Sequence, residues 1–156
     1  MKHFNIAVIA GDGIGPEVIA EGKKVFDGIA KMDGSFSVSF EDFPWGCEYY
    51  LKTGEMMPAD GLDILKPFDA VYLGAVGYPG VPDHVSLGGL LLQIRRGFDE
   101  YINLRPVRLL KGAPCPLADV SEDDINMIVV RENSEGEYAN VGAHLYAGTD
   151  REMALQ

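Results

Sequence analysis

Cysteine is scarce in this chain, and the two that occur, Cys47 and Cys115, stand far apart with no CxxC pair and no Cys/His spacing. That pattern argues against a zinc site and says little for a disulfide. Both read as small, partly buried apolar residues in a reducing compartment, and the cytoplasm is the expected location. The three histidines, His3, His84 and His144, also lack metal-ligand spacing and read as surface or packing residues. Positive charge is in short supply as well. With 13 Lys and Arg against 24 Asp and Glu the formal net charge is −11, so nucleic acid and anionic membrane are poor partners. No apolar run approaches the ~18 residues needed to span a bilayer. The short apolar stretch in MKHFNIAVIAG breaks at Gly11-Asp12 without the small-residue cleavage pattern of a signal peptide. Internal repeats, low-complexity tracts and a linker-like shift in composition are missing too, and the single tryptophan, Trp45, reads as a packing anchor.

What is present, 47% hydrophobic and 24% charged residues, suits a globular α/β chain. FNIAVIA predicts a buried strand over 4–10. A glycine turn over 11–15 follows, and Pro16 at a first helical position with Glu17 in the first turn opens a helix to about residue 31. Val18, Ile19, Val25, Phe26 and Ile29 recur along it at helical spacing, and Asp33-Gly34 ends it before the alternating SFSVSF, a strand over 35–40. This makes one βαβ-like unit. Helices are expected over 45–51 and 58–65, a strand over 70–73, and a long Gly- and Pro-rich loop over 74–89. A helix over 89–98 follows, then an extended stretch over 101–109, where Pro106 excludes a regular helix. The strand over 125–130 has a parallel or central character that periodicity leaves open. Ser86 reads as a helix-start cap, SEDD at 121–124 as a solvated turn or cap, and residues 153–156 as the start of an amphipathic segment.

Two glycine-rich segments have more than one reading. GDGIGP carries Pro16 where the dinucleotide fingerprint GxGxxG needs a third glycine, so a structural tight turn and a ligand-approach loop both fit. GAVGYPGVP, at 74–82, follows a strand and either lets a backbone approach a cofactor closely or simply turns the chain.

The basic residues are concentrated instead of spread. Arg95, Arg96, Arg105, Arg108 and Lys111 fall within seventeen residues of an acidic chain, and screening over roughly 8 Å at physiological salt lets such a patch act against a distant acidic surface. Guanidinium groups stay charged at any working pH and offer a planar fork that matches a carboxylate with two parallel hydrogen bonds. Together with Arg131 in VVRENSEGEY they suggest a site for a small multivalent carboxylate, a dianion.

Taken in order, IAGDGIGPEV, FDAVYLGAVG, LLLQIRR, NLRPV and VVRENSEGEY resemble the isocitrate/isopropylmalate dehydrogenase family of NAD-dependent, β-decarboxylating enzymes along essentially the whole chain. FPWGCEYYLKTGEMMP and VPDHVSL are similar to its tartrate/D-malate dehydrogenase branch. The resemblance implies an isopropylmalate-dehydrogenase-like α/β fold in incomplete form, with residues 1–100 the N-terminal part of an NAD-binding domain and 101–156 the start of a second, substrate and dimerisation domain. It implies that Arg95, Arg105 and Arg131 grip a dicarboxylate and that Tyr138 is the general acid protonating the enolate left by decarboxylation. Asp12, Ile14, Gly74, Ala75, Val76, Gly77 and Leu87 fall in the implied NAD site, while Arg96 and Arg108 remain surface or structural residues.

Two departures stand out. Branch relatives carry tryptophan where this chain has Gly88, which puts substrate choice in doubt. Family members are also more than twice as long, and the absent part ordinarily supplies a catalytic lysine, the aspartates that bind Mg²⁺ or Mn²⁺, and much of the adenine pocket. The isolated chain is therefore expected to lack efficient turnover, and strand edges left unpaired point to a homodimer or a complementing C-terminal half as partner. The alternative reading is a non-catalytic remnant that binds a dicarboxylate weakly or pairs with a homologous chain.

Overall fold

The uninterrupted apolar run near the N-terminus forms the middle strand of a parallel sheet. In the computed structural model, which describes residues 1–139 and 141–155, β1 (Lys2–Gly11) lies between β2 (Phe36–Asp42) and β3 (Ala70–Ala75), and both neighbours run parallel to it. Ala7, Val8 and Ile9 are fully buried, as a parallel strand covered on both faces requires. The predicted strand of 4–10 is thus longer by two residues at its start and one at its end.

Helix α1 (Gly15–Asp33) connects β1 to β2 and completes the expected βαβ unit. Pro16 sits in its first turn, and Gly34 closes it at φ 70°, its N–H bonding the Ala30 carbonyl at 2.9 Å, the left-handed cap that glycine adopts without a Cβ clash. Of the predicted apolar stripe only Ile19 is buried; Val18, Val25 and Ile29 stay exposed. Phe26 fits edge-on against Phe40 and Tyr72.

After β2 come α2 (Cys47–Thr53) and α3 (Gly61–Leu65). The latter is shorter than the predicted 58–65, since Pro58 starts a turn whose carbonyl accepts the Gly61 N–H at 2.8 Å. Trp45 is buried against the Phe43 ring, 4.7 Å between centroids, the packing role expected of it. Ile9, Leu65 and Leu90 are the largest fully buried side chains, each contributing about 1.5–3 kcal/mol of hydrophobic stabilisation.

The segment expected to be a loop over 74–89 is one only over 76–82, since β3 runs to Ala75 and a helical run begins at Asp83. Here α4 (Asp83–Ser86), a π-helical turn (Leu87–Leu91) and α5 (Leu92–Gly97) follow one another without a break. Pro82 starts the run, its carbonyl accepting the N–H groups of Val85 and Ser86. Gly89 is used for close approach, since a Cβ there would lie 2.7 Å from Met56 Cγ. Ser86 is likewise not a helix-start cap: it ends α4, is buried, and its hydroxyl donates to the Asp83 carbonyl at 3.4 Å.

The chain divides into two compact units, Met1–Gly97 and Phe98–Gln156. In the second, β4 (Ile102–Arg108) and β5 (Asn126–Glu132) pair antiparallel, with Pro106 opposite Ile128; an exposed edge tolerates a residue with no N–H to donate. A 3₁₀ turn (Gly136–Tyr138) follows, then the short antiparallel pair β6 (Ala143–Leu145) and β7 (Met153–Leu155). The last pair includes residues 153–155 of the expected amphipathic segment; Gln156 lies outside the described residues. The SEDD segment is an exposed turn, with the Ser121 N–H and hydroxyl both donating to Asp124 Oδ2 at 2.6 Å. Among the described residues no helix is long and apolar enough to cross a membrane.

Candidate functional site

In the first unit, β1 is followed by β2 on one side and, after a crossover, by β3 on the other. This places a topological switch point at β1, and in open parallel sheets ligands bind in the crevice beyond the carboxyl ends of the strands at such a point. The two glycine-rich segments meet there. A Cβ on Gly11 would fall 2.0 Å from the Ala75 carbonyl oxygen, one on Gly15 would fall 2.0 Å from that of Ala10, and one on Gly74 would fall 2.2 Å from that of Ala10. These three glycines let the ends of β1 and β3 touch. Gly13 differs: it holds φ 55° with nothing within 4 Å of a Cβ. GDGIG is therefore a tight structural turn and, at its tip, an open backbone loop.

Asp12 is 3% exposed. Its Oδ1 accepts the backbone N–H groups of Cys47 at 2.8 Å and Glu48 at 3.3 Å, its Oδ2 accepts that of Gly77 at 3.1 Å, and its own N–H donates to the Ala75 carbonyl at 2.7 Å. The side chain is thus committed to the protein backbone. Burial, with Asp12 alongside, pushes the Cys47 thiol up to about 11, so this cysteine stays a neutral packing residue. Around this brace Ile14 is 63% exposed, and Ala75, Gly77 and Leu87 are also exposed, while Gly74 and Val76 are half-buried. The open space at Gly13 and the exposed Ala75 and Gly77 leave the carboxyl ends of β1 and β3 accessible. By contrast, among the described residues no group of three or more His, Cys, Asp or Glu could hold a metal ion.

The second unit carries its own constellation. In the β4–β5 register Asn103 faces Arg131 and Arg105 faces Val129. Residues two apart on a strand point the same way, so Arg105 and Arg131 share one face of the ladder as diagonal neighbours, with Cα atoms on the order of 7–8 Å apart. Arg108 lies on the opposite face. Tyr138 ends the 3₁₀ turn after Gly136, which adopts φ 60°, and Arg131 Cζ lies 4.8 Å from the centre of the Tyr138 ring. Arg131, Glu132, Glu135, Gly136 and Tyr138 line an open cleft of about 750 Å³. Arg95 is on α5 in the first unit, half-buried, next to the exposed Arg96. Within one unit, then, Arg131 meets Tyr138, and Arg105 shares the Arg131 face of the ladder.

Sequence reasoning passed over what supports this constellation. Glu132 accepts the Ser134 hydroxyl at 2.6 Å, the Ser134 N–H at 2.7 Å and the Glu135 N–H at 2.7 Å, and these donors, the Ser134 hydroxyl first, hold its carboxyl down at about 2. Asn133 donates to the Glu100 carbonyl at 3.2 Å and is buried, with its Oδ1 lacking a partner among the described residues. The turn-forming residues Glu-Asn-Ser in VVRENSEGEY were the available signal.

The architecture is an open parallel α/β sheet with glycine loops at its switch point, followed in sequence by an arginine-bearing ladder, and comparison with known proteins identifies its family. Residues 5–155 match the isocitrate/isopropylmalate dehydrogenase family, and the chain belongs to it. It is 53% identical over 158 residues to the D-malate dehydrogenase (decarboxylating) of Escherichia coli K12, spanning all of this chain and 44% of that protein. It is 50% identical over 155 residues to the tartrate dehydrogenase/decarboxylase of Pseudomonas putida, spanning 98% of this chain and 42% of the relative. The crystal structure of isocitrate dehydrogenase from Methylococcus capsulatus superposes with a TM-score of 0.74 at 25% identity, over 98% of this chain and 41% of that one. The fold is therefore isocitrate-dehydrogenase-like, and the chain spans less than half the length of the relatives it matches.

Proposed function

We propose that this chain is the N-terminal portion of an NAD-dependent decarboxylating dehydrogenase acting on (2R)-hydroxy dicarboxylates such as tartrate or D-malate. The observation that carries this reading is the stacking of Arg131 on Tyr138, with Arg105 on the same face of the ladder. Two guanidinium groups at diagonal positions suit two separate carboxylates of a small diacid, each with its own fork of donors. Tyr138 then holds its phenolic proton beside a cation, which offsets the negative charge left on Oη when that proton passes to the substrate carbon. Arg95 is assigned as the third guanidinium on the resemblance of LLLQIRR alone.

The crevice at the ends of β1 and β3 is the proposed seat of NAD, which when bound accepts the hydride lost by the hydroxyl-bearing carbon. Ile14 and Leu87 offer exposed apolar surface to it, and Ala75 to Gly77 offer backbone. The described residues supply no cluster of ligands to seat Mg²⁺ or Mn²⁺. The ligands for such an ion, and a lysine to act with Tyr138, are assigned to a partner chain or to the remaining length seen in the relatives.

Reconstitution tests the proposal. The chain is mixed with a separately expressed segment of the Escherichia coli relative that covers the unmatched length, and NADH formation is followed with D-malate or tartrate and Mn²⁺. Production of NADH that disappears with Arg105→Ala supports it. No NADH, while the chain alone still binds D-malate in a calorimeter, favours a remnant that binds without turnover.

A further inference from the structure

Asp12 lies in the most sequence-distinctive turn of the chain, yet its carboxylate faces the protein and not the open side of the crevice. It is 3% exposed and it grips two segments distant in sequence: the start of α2 through Cys47 and Glu48, and the loop after β3 through Gly77. The grip on the second segment has two points, since the Asp12 N–H also holds the Ala75 carbonyl at 2.7 Å. The fit on the first is equally close. Gly46 adopts φ 154°, and a Cβ there would stand 2.9 Å from Asp12 Oδ1. One carboxylate therefore ties together the loops that follow all three parallel strands.

We infer that Asp12 is a positioning residue: it latches the 75–77 backbone to the start of α2, gives that backbone the shape in which it receives a dinucleotide, and transmits cofactor binding from one loop to the other. The inference rests on the assignment of NAD to this crevice. A carboxylate is suited to the task because it is acceptor-only, with enough lone pairs for all three N–H groups. An asparagine of the same size has one acceptor oxygen and one donor nitrogen, so at least one of those N–H groups must face another donor and the latch opens at that point.

The test is Asp12→Asn in the 156-residue chain, read in three ways. NAD affinity, followed by calorimetry, is expected to fall roughly tenfold or more, in keeping with the cost of misplacing a positioned group. Hydrogen exchange at the Gly77 and Cys47 amides is expected to speed up. D-malate affinity, which belongs to Arg105 and Arg131, is expected to stay unchanged, and slow exchange retained along β1 is expected to show that the first unit stays folded. Unaltered NAD affinity, or equal losses for NAD and D-malate, overturns the inference. Where the variant does not fold, the wild type decides: NAD must shift the amide resonances of Cys47 and Glu48 as well as that of Gly77, and a response confined to Gly77 overturns the latch. Should the wild type bind no NAD, the cofactor assignment fails first, and the latch stands or falls on the Gly77 and Cys47 exchange in Asp12→Asn, with retained protection counting against it.

Discussion

Glu132 holds its turn through donors that favour the ionised carboxylate, the Ser134 hydroxyl above all. Because its folded pKa of about 2 lies below the ordinary 4.5, the contribution to stability is present in full above the ordinary value and is lost as pH falls through the folded one. The turn that carries Arg131 into Tyr138 should therefore persist through mild acid. Removing the leading donor with Ser134→Ala should move the Glu132 midpoint up toward 4.5, read from its side-chain carboxyl resonance; a midpoint that stays near 2 would mean the backbone donors suffice. At Arg131 the planar fork and the ring stack work together; lysine lacks the fork and meets a ring only as a point charge. Arg131→Lys is thus expected to weaken D-malate binding by about tenfold or more, measured by calorimetry, although charge is kept. The sequence marked Arg105, Arg131 and Tyr138 by residue type and by resemblance, but it could not show that Glu132 and Asn133 brace them, because that depends on which way each side chain turns at the end of β5.

At the scale of elements, the parallel strands and α1 were legible because their signals are local: a continuous apolar run, a proline in a first helical turn and a glycine after the last. The helix expected over 89–98 is present to Gly97, but its extension back to Asp83 was not legible, since the Gly-Gly pair and the preceding prolines mimic a loop. The turn GDGIG shows the same division within five residues. Gly11 and Gly15 have no space for a methyl group, while Gly13 has open space and only a left-handed φ. Gly13→Ala should cost about 1–2 kcal/mol, the penalty of that conformation for an L-residue. Gly15→Ala forces a backbone shift at Ala10 and should cost more than Gly13→Ala, beyond the roughly 1–3 kcal/mol typical of overpacking. Urea unfolding of the two variants orders them, and a Gly13→Ala loss as large as that of Gly15→Ala would contradict the close contact between Gly15 and the Ala10 carbonyl.

For the whole molecule the distribution of buried apolar residues sets the energetics. Every buried hydrophobic residue among those described, from Ala7 to Ile94, belongs to the unit Met1–Gly97, and the unit Phe98–Gln156 contributes none. Its central ladder exposes Ile102, Leu104, Ile128 and Val130 on one face, with Leu104 at 60% and Val130 at 65%. An isolated two-stranded ladder is marginal in water, and local stability follows buried contacts and not hydrogen-bond count alone. Two levels of protection from hydrogen exchange are therefore expected in the chain by itself: slow exchange along β1 at 2–11, and fast exchange along β4 and β5 at 102–108 and 126–132. Arg105 and Arg131 ride on that weakly held ladder, so a chain that covers its apolar face should slow exchange there and tighten D-malate binding in the same titration. Protection of β4 and β5 equal to that of β1 in the chain alone would show that the second unit is stable by itself, and that its arginines are set without a partner.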